Sequence, residues 1–167
     1  MRFASLGHPT TVGALHAGEC FAFDWHGRAQ LGIKIVDEFA AHPIASCVAL
    51  WPGSPEHEGR PGFLDELMAP GTGVYGLADA MLVPSTELSL WHVSTDIASQ
   101  AGVIVLARDR MMMGVTRKNG KVVFIDLAAG KTVMLPDNTT LLRIGGWRLM
   151  QKVFEKYETL CTYRAPE

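Results

Sequence analysis

MMMGVTRKNGKVVFIDLAAGKTVML, residues 111–135, holds three apolar runs separated by two strong turn signals. Asn119-Gly120 favours a two-residue hairpin loop, because both central positions there need φ > 0. That loop places Val115 opposite Phe124 and Met113 opposite Asp126. Ala128-Ala129-Gly130 suits a three-residue loop with glycine in the left-handed position, which places Asp126 opposite Thr132 and Phe124 opposite Met134. One face of this meander then carries Met112, Gly114, Val123, Ile125, Leu127, Val133 and Leu135. The other carries Met111, Met113, Val115, Phe124 and Met134 around Asp126. Both faces are apolar, so both need covering. Met111, Met113, Phe124, Asp126 and Met134 are the candidate binding set, and the expected cover is a C-terminal helix, a second subunit or a small ligand. A carboxylate among them needs a hydrogen-bond partner or an elevated pKa, and Thr132 or a backbone amide is the expected partner for Asp126.

Alternation is equally clear in CFAFDWHGRAQLGIKIV, residues 20–36. Phe21, Phe23 and Trp25 share parity with Leu31, Ile33 and Ile35. A three-residue loop, His26-Gly27-Arg28, pairs Phe23 with Leu31 and Phe21 with Ile33. The opposite face then holds Cys20, Asp24, His26, Gln30 and Lys34. Six strand residues span about 20 Å, so Cys20 and His26 cannot act as nucleophile and base along it. A solvated polar face is the expected role.

Further strands are expected in PIASCVALW (43–51), TELSLWHV (86–93), VIVLA (103–107) and NTTLLRI (138–144). Residues 74–83 fit either strand or helix, and a capped helical turn is expected in STDIASQAG (94–102). Residues 52–73 form a long Pro/Gly-rich loop that can hold one helical turn at 63–68. Near the end, Leu149, Met150, Val153, Phe154, Tyr157, Leu160 and Cys161 recur at helical spacing. An amphipathic helix over 147–162, docked on the domain, is the expectation.

The whole, residues 1–167, is expected to be a single mainly β (α+β) domain. Antiparallel meanders would form an open barrel or two-layer sandwich, with the C-terminal helix added. The longest apolar run is too short for a bilayer span, and the N-terminus lacks a signal-peptide h-region. Three cysteines without a Cys-x-x-Cys pair argue against a disulfide framework or zinc ribbon, and fit a reduced cytoplasmic setting. No catalytic set, metal site or cofactor is expected: phosphate-loop, dinucleotide, H-E-x-x-H and G-x-S-x-G patterns are all absent. Glu56-His57-Glu58 reads as solvated charge.

Charge is uneven. Residues 1–101 carry four basic against eleven acidic side chains, and residues 102–148 carry eight against three. Such halves suit an anionic partner or contact between copies. The expected function is a non-catalytic, self-associating module that binds a partner or small ligand as a homo-oligomer. Two alternatives stand beside it: a small-molecule enzyme gathering His42, His57, His92 and Asp126 in a barrel pocket, and a nucleic-acid or polyanion binder using the basic 108–121 hairpin. Negative net charge and the lack of interleaved aromatics weigh against nucleic acid.

Overall fold

The computed structural model of the chain describes residues 7–25, 27–39, 44–52, 59–64, 69–96, 100–107, 109–136 and 139–165. The strands, in chain order, are β1 (His8–Thr11), β2 (Cys20–Trp25), β3 (Arg28–Asp37), β4 (Ile44–Trp51), β5 (Gly62–Phe63) and β6 (Gly73–Gly76). They continue with β7 (Ala80–Pro84), β8 (Trp91–Ser94), β9 (Ile104–Ala107), β10 (Arg110–Thr116) and β11 (Val122–Asp126). The last four are β12 (Lys131–Val133), β13 (Leu141–Ile144), β14 (Gly146–Val153) and β15 (Lys156–Arg164). The only helical segments among the described residues are two short 3-10 turns, Val12–Ala14 and Leu88–Leu90. The mainly β reading holds.

β7, β14 and β15 form a small antiparallel sheet, and the other twelve strands form a large one. Within the large sheet the pairings β3–β4–β5–β10–β11–β12–β3 return to their start, so this part is a closed ring rather than an open barrel. Both joints that close it are parallel and minimal, Gly62 with Thr116 and Val36 with Lys131. Inside lie Ile33, Ile35, Val48, Leu50, Met113, Val115 and Ile125, and Trp147, Leu149, Cys161 and Tyr163 of the small sheet pack into the same cluster.

The expected C-terminal helix is absent, and residues 146–164 form the β14–β15 hairpin. A register shift between Leu149 and Met150 breaks the alternation of β15, so that Leu160 and Cys161 are both buried. That shift mimics helical spacing in the sequence. Burial exposes the accident: Phe154 and Tyr157, which a helix would have turned inward, are exposed.

All three hairpin registers differ from expectation by one residue. β2 and β3 pair Trp25 with Arg28 and Phe23 with Gln30, around a two-residue loop. Met113 pairs with Ile125, not Asp126, because the amide of Gly120 donates to the carbonyl of Arg117 and that of Arg117 to the carbonyl of Lys121. Gly120 at φ 76 therefore closes a three-residue loop with a bulge. The next loop has four residues, 127–130, and pairs Phe124 with Val133.

Each shift exchanges the faces. Cys20 and Ala22 turn into the ring core, while Phe21 and Phe23 join Val12, Leu15, Cys47, Leu64 and Val74 in a second cluster. The expected solvated face is thus split: Cys20 lies in the ring core and Asp24 is exposed. Lys34, on the opposite face from Ile33, is buried against the second cluster, its ammonium donating to the carbonyls of Val12, Gly13 and Leu15. Its long stem crosses apolar surface to cap a loop. Both faces of the 111–135 meander are largely buried, though Met134 is 74% exposed. On the second, Met112 and Phe124 cluster with Val103, Val105, Ala107 and Leu141 of the same sheet, and the expected helix does not cover it.

PIASCVALW, TELSLWHV, VIVLA and NTTLLRI each supply a strand, and residues 74–83 resolve into parts of β6 and β7. Phe63 lies in a strand rather than a helical turn, and residues 65–68 are outside the described residues. Part of the expected turn in 94–102 is also outside them, though Gly102 has the left-handed φ of 79 that ends such a turn.

Candidate functional site

Where the small sheet meets the large one, the seam is incompletely filled. One lobe of about 220 Å³ is lined by Gly18, Cys20, Ile33, Ala80, Met81, Leu82, Met111, Leu127 and Ala128. A second, of about 170 Å³, is lined by His8, Leu15, Gly18, Glu19, Cys20 and residues 76–80. The lobes share Gly18, Cys20 and Ala80 as a common wall. One is apolar and the other brings an imidazole and two carboxylates, Glu19 and Asp79. An apolar recess with a few polar groups at one side is the usual form of a small-ligand site.

Local chemistry explains the shape. Gly18 adopts φ 90, and Gly130 approaches it so closely that a Cβ on Gly130 would lie 2.2 Å from the Gly18 amide nitrogen. The loop before β2 is thereby pinned to the β11–β12 loop at the cleft's edge. Across it, the β6–β7 turn hydrogen-bonds Leu77 to the carbonyl of Cys20, and the Gln151 amide donates to the carbonyl of Ala78. Asp79 in that turn has φ 56, a conformation that Asp and Asn tolerate better than most residues. Its carboxylate makes no hydrogen bond or ion pair among the described residues. Glu19 accepts from the His16 amide at 2.7 Å.

Cys20, in the shared wall, is 4% exposed. Its thiol is pushed up to about 12, first by burial, then by Cys161, then by Glu19. Cys47 and Cys161 are likewise pushed up to about 11 by burial. Thiols held so high are neutral near pH 7 and are poor nucleophiles.

The five residues of the candidate binding set do not share a face. Met111 is half-buried and lines the apolar lobe, and Met113 is inside the ring. Phe124 packs on the opposite face, with Met112 and Leu141. Asp126 caps its own turn, accepting from the amides of Ala128 and Ala129 at 2.9 and 3.0 Å. Met134 is 74% exposed and lines a separate groove of about 260 Å³ with Asp109, Arg110 and Pro136. The cleft residues Glu19, Asp79, Ala80 and Leu82 carried no sequence signal beyond the short GLADAML turn between two strands.

The Thr132 expected beside Asp126 instead bonds Asp37, which is 4% exposed. One nitrogen of Arg117 reaches both Asp37 oxygens at 2.6 and 2.7 Å, while its guanidinium lies 4.7 Å from the centre of the Phe63 ring. This cluster ties β3, β5, β12 and the end of β10 together, and it consumes a cation of the basic 108–121 run. Arg110 stands at the far end of the same strand from Lys118 and Lys121, so the run does not form one stripe. His92 is exposed on β8, and Asp126 is in its turn; His42, Arg108 and residues 56–58 lie outside the described residues. No group of three His, Cys, Asp or Glu side chains able to hold a metal occurs among the described residues. None of their helices is long and apolar enough to cross a membrane. The chain matches no family model, and no curated protein or solved structure is similar to it at a significant level.

Proposed function

We propose that the protein is a binding module for a small, largely apolar molecule held in the cleft between its two sheets. One observation carries the reading: an apolar lobe and a polar lobe adjoin through Cys20 and Ala80 at a seam where two separately built sheets meet. The neutral thiol in the shared wall favours binding over covalent chemistry. Ala80 is the residue through which to test it, since a larger side chain there fills both lobes from the edge of β7. Thermal melts of the wild type with a panel of four- to eight-carbon compounds should show stabilisation by at least one class. In Ala80→Leu, with an unchanged circular dichroism spectrum, the stabilisation should disappear. Binding that survives Ala80→Leu, or no stabilisation by any compound, overturns the reading.

Self-association is a second reading, favoured by the tip of the β14–β15 hairpin, where Phe154 is 95% exposed and Tyr157 half exposed. Light scattering behind size exclusion would show an oligomer that Phe154→Asn with Tyr157→Ser reduces to a monomer. A monomeric wild type at high concentration rules it out.

A further inference from the structure

If the cleft is a ligand site, its charges specify more than size. We infer that its occupant is a cation: an apolar chain carrying one ammonium group, with the chain among Ile33, Met81, Leu82, Met111 and Leu127 and the ammonium beside Asp79 and Glu19. This rests on the reading of the cleft as a binding site. Among the described residues neither lobe is lined by a lysine or arginine, whereas the polar lobe offers two carboxylates and one imidazole. Asp79 sits exposed in its left-handed turn with no partner for its charge among the described residues, and among them only one oxygen of Glu19 is engaged, by the His16 amide. The Cys20 thiol, 4% exposed and without a hydrogen bond among the described residues, lies between the lobes. Glu19 acts on that thiol, so the negative field reaches the wall that the two lobes share. Two thioethers line the apolar lobe, and methionine side chains adapt to chains of different shape.

Asp79→Asn is the decisive change, because asparagine adopts the same left-handed backbone and only the charge is removed. The full-length wild type, Asp79→Asn and Ala80→Leu are titrated by NMR with hexylammonium, hexanol and hexanoate. Hexylammonium should bind most tightly to the wild type and hexanoate most weakly. Asp79→Asn should weaken hexylammonium by about two- to fivefold, the range for a solvent-exposed ion pair, and leave hexanol unchanged. Ala80→Leu should abolish binding of all three. Hexanol or hexanoate equalling hexylammonium, or an Asp79→Asn variant that binds hexylammonium normally, overturns the charge inference while sensitivity to Ala80→Leu preserves the cleft. Absence of binding, or binding indifferent to Ala80→Leu, overturns both.

Discussion

Phe154 stands at the first position of the two-residue loop joining β14 and β15, with φ 57. A bulky L-residue there brings Cβ against the following carbonyl, at a cost of about 1–2 kcal/mol. Its ring is 95% exposed, so no packing offsets the strain within the chain. Phe154→Asn should therefore raise stability by about 0.5–1 kcal/mol and the melting temperature by a few degrees. An unchanged or lower melt would show that the ring makes a contact worth keeping. Asp37 presents the opposite case, a buried carboxylate whose charge is balanced by Arg117. Among the described residues, Arg117→Ala leaves that charge with only Thr132 and the Phe39 amide, and it also removes the cation over the Phe63 ring. Chemical denaturation should report a loss of about 2–4 kcal/mol, somewhat below the full range for a buried pair because Arg117 is partly exposed. Arg117→Lys should recover only part of it, since an ammonium does not stack on the ring as a guanidinium does.

At the level of elements, loops decided what could be read from sequence. Strand positions were legible in 20–36, 43–51, 103–107 and 111–135 because β-branched, aromatic and apolar runs are bounded by Gly, Pro and Asn. Register was not, because it depends on one residue of loop length. Asn119-Gly120 accommodates both a two-residue loop and a three-residue loop with Gly120 left-handed, and the backbone took the second. A slip of one residue exchanges the faces of a strand, so the binding set built on it scattered. The cleft was not legible at all, since its residues come from six separated stretches that meet only after the sheets pack. Gly130 shows how tightly those segments meet: it has φ 62, and the Gly18 and Ala17 backbones occupy the space a side chain would need. Gly130→Ala should cost at least about 2 kcal/mol, through strain and the forced retreat of the 16–19 loop. Denaturant titration measures the loss, and the same variant should weaken any ligand of the cleft.

Taken whole, the molecule keeps three neutral thiols in its interior, and they contribute to its sensitivity to alkaline pH. Cys20, Cys47 and Cys161 titrate from about 12, 11 and 11 when folded, against an ordinary value of 9.0. Between pH 9 and 11 the unfolded chain has lost protons that the folded chain retains. Unfolding then releases protons, and stability falls as pH rises through this window. Cys20→Ala should flatten that fall in denaturant titrations at pH 8–11, whatever it does to stability at pH 7. A second consequence is kinetic and comes from the ring. Its two closing joints link segments far apart in the chain, and the Asp37–Arg117 clasp beside them spans 80 residues. Each joint is too short to hold before the strands on either side are in place, so closure comes late and must overcome a large loop entropy. Refolding after dilution from denaturant should take milliseconds to seconds, as in other β topologies rich in distant pairings. A clasp made after the rate-limiting step predicts that Arg117→Ala speeds unfolding far more than it slows refolding, and equal changes in both rates would place it earlier. On the ribosome, residues of β5 must wait for β10 before their outer edge is paired, and in that interval the nascent chain presents an open strand to its neighbours.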